Sequence, residues 1–167
     1  DGFFQDISII ESNKDLLDKI INKNEIENFN YIGSDLTIHI RHLHHELGTL
    51  DKNADYQEQP EIDYYKKIIN ELNPKTIKVI CSNRNNLNVI KLKKIYKEKV
   101  FIESQDDVND FLNIIHSENL ILSNSTFSLW GSLLSKNKTI YVPNIGIIKK
   151  TFGKKKNLKL GNTFIYK

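Results

Sequence analysis

Ser123-Asn124-Ser125-Thr126 follows a short apolar run and precedes an apolar helical stretch, so it falls where a strand turns into a helix. The first turn of a helix carries unpaired backbone N–H groups and a partial positive charge. Small hydroxyl and amide side chains there let an anion come close and add donors of their own, which makes a natural diphosphate cradle. The same residues also serve as a plain helix cap. His39-Ile40-Arg41 is the second feature. On a strand its two polar side chains share a face. A guanidinium on an otherwise buried strand needs a partner. A diphosphate matches its planar fork, and a salt bridge to an acid would satisfy it as well.

Asp106, Asp107 and Asp110 open a helix that precedes the Ser-Asn-Ser-Thr turn. One of them could accept hydrogen bonds from a base or a ribose. Acids in a first turn also simply complement the helix dipole. His42, His44 and His45 invite a zinc reading, but they come with no cysteine and no regular ligand spacing, so a solvated loop is the expectation and no metal site is assigned. No Gly-x-Gly-x-x-Gly or Walker pattern is present. Ser125 lacks the flanking glycines of a nucleophile elbow.

These residues need elements to hold them, and apolar periodicity supplies alternating strands and helices. Leu36, Ile38 and Ile40 alternate with Thr37, His39 and Arg41, which predicts a strand. Further strands are expected over 76–81, 100–102, 120–122 and 139–142, and helices over 62–72, 88–97, 106–116 and 127–134. An earlier helix, capped by Asn13, would bury Leu16, Leu17, Ile20 and Ile21. Residues 42–60 read as a long polar loop, of the kind that is usually functional or disordered. The pattern implies an α/β fold with a mostly parallel sheet and helices on both faces. Ligands in such folds gather at the carboxyl ends of the strands. Here those ends carry His39 and Arg41, Ser82 and Asn83, Glu103, and residues 123–126.

The chain of 167 residues is expected to be a single domain, long enough to bury a core. It opens at Asp1 and has no Met, which predicts a piece of a longer chain. The net charge of +3 is too mild to imply nucleic acid. No apolar run reaches the ~18 residues of a membrane span. The single cysteine, Cys81, excludes an internal disulfide and fits a reducing compartment, so a cytoplasmic location is expected. The Lys-rich run 149–159 is a candidate for peripheral contact with the inner membrane face.

Taken together, these motifs resemble the GDP-fucose-dependent α-1,2-fucosyltransferases. Residues 123–131, Ser-Asn-Ser-Thr-Phe-Ser-Leu-Trp-Gly, are close to that family's Ser-Asn-Ser-Thr-Phe-Ser-Trp-Trp-Gly/Ala signature. His39-Ile40-Arg41 matches the start of its His-x-Arg-Arg-Gly-Asp motif, Gly2-Phe3-Phe4-Gln5 its Gly-Tyr-Phe-Gln segment, and Tyr64-Tyr65 the Tyr-Tyr that opens the next helix. The resemblance implies the Rossmann-like C-terminal domain of a two-domain, GT-B-type inverting glycosyltransferase, with a nucleotide sugar and a glycan acceptor as partners. It implies that Arg41 is the catalytic candidate and holds the β-phosphate. His39 and a helix acid, Asp110 ahead of Asp107, would meet the guanine. Ser123, Asn124, Ser125 and Thr126 would line the diphosphate and fucose, with Ser128 also counted as donor-binding. No divalent metal or other cofactor is implied. The N-terminal domain would be missing, and the piece alone would not turn over.

The chain departs from the pattern in three places: His42-Leu43-His44 where Arg-Gly-Asp is expected, Leu129 in place of Trp, and Ser82-Asn83-Arg84 in place of a Ser-Asp-Asp-like turn. The alternatives are a non-catalytic nucleotide- or sugar-binding module that retains the fold, and an interaction domain that uses the basic run.

Overall fold

The computed structural model describes residue 12 and residues 26–41, 58–135, 139–152 and 163–166. The helix expected around Leu16 to Ile21, the Gly2–Gln5 segment, the histidines at 42, 44 and 45, and all but the start of the 149–159 run lie outside them.

Six strands form one sheet: β1 (Leu36–Ile40), β2 (Ile77–Cys81), β3 (Val100–Ile102), β4 (Asn119–Ile121), β5 (Thr139–Val142) and β6 (Thr163–Tyr166). Their order is β3-β2-β1-β4-β5-β6, and every neighbouring pair is parallel. This is the doubly wound order, and it reverses between β1 and β4. Every residue of β1 and β2 is buried. A central parallel strand is covered on both faces, so even the polar Thr37, His39 and Lys78 are buried.

Helices α1 (Ile62–Leu72) and α2 (Leu87–Tyr96) cover one face. Tyr65, Ile68 and Ile69 of α1 and Val89 and Leu92 of α2 close over Leu36, Ile38, Ile40, Ile77 and Val79. The Ile68–Ile69 spacing from Tyr65 is the i, i+3, i+4 stripe of a helix with one buried side. α1 ends where Asn73 turns left-handed at φ 47° and returns its N–H to the Ile69 carbonyl, with Pro74 barring continuation. Helices α3 (Asp107–His116), α4 (Thr126–Leu134) and α5 (Gly146–Phe152) cover the other face. There Ile114, Leu129, Leu133 and Ile148 meet Ile80, Leu120, Leu122, Ile140 and Val142.

α3 and α4 touch at Gly131. A Cβ at that position would lie 2.5 Å from Ile114 Cγ2, so only glycine lets the helices come this close. Elements α5 and β6 were not foreseen from the sequence. α5 is seven residues long. It starts at Gly146 in a left-handed conformation (φ 47°) that glycine adopts without strain. Its lysines, Lys149 and Lys150, sit in its last turn, where the helix dipole favours cations.

Candidate functional site

The switch point of the sheet lies between the carboxyl ends of β1 and β4, and the sequence places its two polar motifs there. β1 ends in His39, Ile40 and then Arg41. β4 runs out into Leu122 and the turn 123–126. The motifs meet through side chains: His39 Nδ1 lies 2.6 Å from Ser123 Oγ, and Arg41 Nη1 donates to the Asn124 carbonyl at 2.9 Å. Sequence separations of 84 and 83 residues are thus closed by parallel pairing of adjacent strands.

His39 is buried at 8% exposure. Loss of water, and then the nearby Arg41 charge, push its imidazole down to about 4, so it is neutral near pH 7. The Phe127 ring lies 5.7 Å from it, and Phe111 of α3 lies 5.2 Å beyond Phe127. Arg41 is half-buried at the strand end.

The turn itself is built from its own hydroxyls. Ser125 is the N-cap of α4, and its Oγ accepts the Phe127 N–H at 3.2 Å. Ser128 donates back to the Ser125 carbonyl at 3.2 Å and sits 3.4 Å from Ser123 Oγ. Asn124 turns its side chain away from α4, and its Oδ1 accepts the N–H of Ile147, at 2.8 Å, in the first turn of α5. Capping is therefore a real role of Ser125 and Asn124. Thr126 is half-buried in the first turn of α4, where that turn's N–H groups face the strand ends.

The acids stand to the β3 side. Asp106 caps α3, with its carboxylate accepting the Asn109 N–H at 2.8 Å, a bond that lowers its pKa. Asp107 is exposed. Asp110 accepts from Ser104 Oγ at 2.5 Å and from the Gln105 N–H at 3.2 Å. Burial raises its pKa against the pull of those two bonds. The structure thus brings together His39, Arg41, Ser123, Asn124, Ser125 and Ser128, and sets Asp107 and Asp110 on the neighbouring turn after β3.

Leu129, the departure from the tryptophan of the signature, is fully buried against the sheet, so it alters packing and not the crevice. Cys81, at the end of β2, is buried and its thiol is pushed up to about 11, chiefly by loss of water, which makes it a poor nucleophile. Among the described residues no three His, Cys, Asp or Glu gather as a metal ion requires, and no helix is long and apolar enough to cross a membrane. Two residues that the sequence did not single out join the site. Glu58 and Gln59 stand just before α1, and each makes a contact at the strand ends.

The six-stranded parallel sheet flanked by helices is consistent with a Rossmann-like glycosyltransferase domain. The model of glycosyl transferase family 11 matches residues 1–166, and the chain belongs to that family, the α-1,2-fucosyltransferase family. No curated protein and no solved structure matches it at a significant level.

Proposed function

We propose that this chain is the donor-binding domain of an inverting glycosyltransferase that transfers fucose from GDP-fucose to a glycan hydroxyl. The observation that carries the reading is the meeting of Arg41 with the turn 123–126 at the switch point. A nucleoside diphosphate leaving group needs positive potential at its β-phosphate. A guanidinium and a helix N-terminus supply it without a metal.

In this reading the acceptor oxygen attacks the anomeric carbon of fucose from the face opposite GDP. The bond from that carbon to the β-phosphate oxygen breaks, and its electron pair leaves with the diphosphate. Arg41 and the first turn of α4 stabilise that developing charge. Asp110 and His39 lie on the guanine side, with Asp110 offering acceptor oxygens to the base. The hydroxyls of Ser123, Ser125, Thr126 and Ser128 line the diphosphate and sugar. The acceptor and the general base are assigned to a second, N-terminal domain of the same enzyme, so the domain alone binds donor without turning it over. A cytoplasmic site of action, with the run 149–159 against an anionic inner membrane face, belongs to the same reading.

Calorimetric titration with GDP-fucose and GDP tests it, with and without a chelator, on the native chain and on Arg41→Ala. Donor should bind in chelator, and Arg41→Ala should weaken it at least roughly tenfold, as loss of a charge-assisted contact does. A folded native chain that binds neither ligand, or an Arg41→Ala variant that binds as well as native, would sink the reading. His42-Leu43-His44 after Arg41, where the family motif continues Arg-Gly-Asp, favours a second reading: a module that binds nucleotide sugar without transferring it. GDP binding without fucose transfer by the full-length protein would select that alternative.

A further inference from the structure

Residues 58–60 lead into α1, and their groups reach three other elements. Gln59 Nε2 donates to the Arg41 carbonyl at 2.6 Å. Its Oε1 accepts from the side-chain amides of Asn86 at 3.3 Å and Asn88 at 3.4 Å, at the start of α2. Asn88 also donates to the Pro60 carbonyl at 3.0 Å. Glu58 Oε2 accepts the Gly146 N–H at 2.7 Å, where α5 begins. From α5 the path returns through Ile147 N–H to Asn124 Oδ1, and from the Asn124 carbonyl to the Arg41 guanidinium. These bonds make a closed ring around the switch point: Glu58, α5, Asn124, Arg41, Gln59.

We propose that Glu58 and Gln59 are positioning residues that hold Arg41 for the diphosphate. The proposal rests on the donor-site reading above and adds to it residues outside every motif that carries the resemblance. An arginine has several rotatable bonds, so its guanidinium is placed only if both ends are fixed. Gln59 fixes the peptide from which the side chain departs, and Asn124 fixes the guanidinium. Glu58 ties the same segment to α5, which Asn124 caps. Gln59 does not reach the nucleotide and acts through Arg41. Its loss should therefore weaken recognition of the diphosphate and leave recognition of the base alone.

Titration with GDP and, separately, with guanosine tests this on the native protein, Gln59→Leu and Gln59→Glu. Gln59→Glu keeps an acceptor for Asn86 and Asn88 but cannot donate to the Arg41 carbonyl. In both variants the Kd for GDP should rise about tenfold, the scale of one well-placed hydrogen bond, while that for guanosine stays within about twofold. Equal weakening of both ligands shows general loosening and overturns the proposal, as does unchanged GDP affinity. If Gln59→Leu does not fold, Gln59→Glu decides by the same criteria. Native protein that ignores GDP overturns the donor-site reading, and the clamp with it. Native binding with unaltered variants overturns the clamp alone.

Discussion

Two polar clusters lie on the same face of the sheet, one closed and one open. The first surrounds Lys78, near the amino end of β2 and fully buried. Its ammonium reaches Asn113 Oδ1 and the Ile32 carbonyl, both at 2.6 Å, and Glu103 Oε2 at 2.9 Å, with the Tyr31 ring 4.4 Å away. An ammonium has three protons to donate; the Ile32 carbonyl and Asn113 Oδ1 each accept one, and Glu103 balances the charge as an ion pair without hydrogen-bond geometry. The second surrounds His39 and Ser123, at the carboxyl ends of β1 and β4, with a half-buried Arg41 at its rim. The first cluster is charged and sealed; the second has a neutral interior and its charge at the edge. The difference teaches that a buried cation alone does not mark a site. What marks one is a cation at a strand's carboxyl end, where the sheet leaves room for a ligand.

Removing the closed cluster's cation should have the largest effect on stability. Lys78→Met leaves the Glu103 carboxylate and the Asn113 amide without their partner. Breaking one side of a buried pair costs about 3–5 kcal/mol. Replacing both partners, Lys78→Met with Glu103→Leu, should recover most of that. Urea unfolding of the single and double variants measures it. A single variant within ~1 kcal/mol of native would show that the cluster is wet and that the contrast between the two clusters is wrong.

The open cluster should reveal itself through pH. His39 is held near 4 when folded, against about 6.5 for an ordinary imidazole. Between those values the unfolded chain binds a proton that the folded one refuses. Stability contributed by the neutral imidazole is therefore full above about pH 6.5 and falls as pH drops towards 4, by roughly 3 kcal/mol in all. Below 4 both states are protonated and the decline stops. His39→Gln should remove this component, so the difference between the native and variant pH profiles should slope only in that window. A flat difference profile would mean that the ring is hydrated.

The seam between the clusters is the α3–α4 contact. Gly131→Ala places a methyl group against Ile114. Alanine gains roughly 0.5–1 kcal/mol of helix preference over glycine, but overpacking of a tight core costs about 1–3 kcal/mol. The net should be destabilising, read as a lower Tm. A rise in Tm would show that α3 can slide, and that the two clusters are mechanically independent.

How much of this was legible follows the range of the interactions. α1 matches its expected span, Ile62–Leu72, because its apolar stripe and the Asn73-Pro74 stop are local. β3 and β5 matched as well, and the other expected elements among the described residues, β1 included, shifted by a residue at one or both ends. α5 was hidden because its cap is the side chain of Asn124, distant in sequence, and because its apolar residues run into a lysine-rich stretch. β6, Thr163–Tyr166, has strand-forming residues but only four of them, and its pairing with β5 decides it. At the site, Arg41 and residues 123–126 were legible because motif and strand end coincide. Glu58 and Gln59 were not, since a polar pair at a loop's end becomes informative only when the fold shows what it reaches. Lys78 gave no signal either: a lone lysine in a short apolar run does not announce its partners, and it is fully buried among the described residues.

The smallest predicted effect on stability bears on the same contrast. Arg41→Ala removes the hydrogen bond to the Asn124 carbonyl, and the truncated rim should let water reach that oxygen. The expected loss is no more than about 1.5 kcal/mol, the net worth of a hydrogen bond whose acceptor can be rehydrated. Lys78→Met offers less such replacement, because Lys78 and its partner Asn113 are almost wholly buried. Urea unfolding of Arg41→Ala beside Lys78→Met therefore ranks the clusters directly. If Arg41→Ala proves as costly as Lys78→Met, Arg41 is a structural cation like Lys78, and the open end of the sheet loses its claim to be a binding site. If it is cheap, the chain keeps an arginine at the switch point that its own folding does not need, which is what a residue reserved for an anionic ligand looks like.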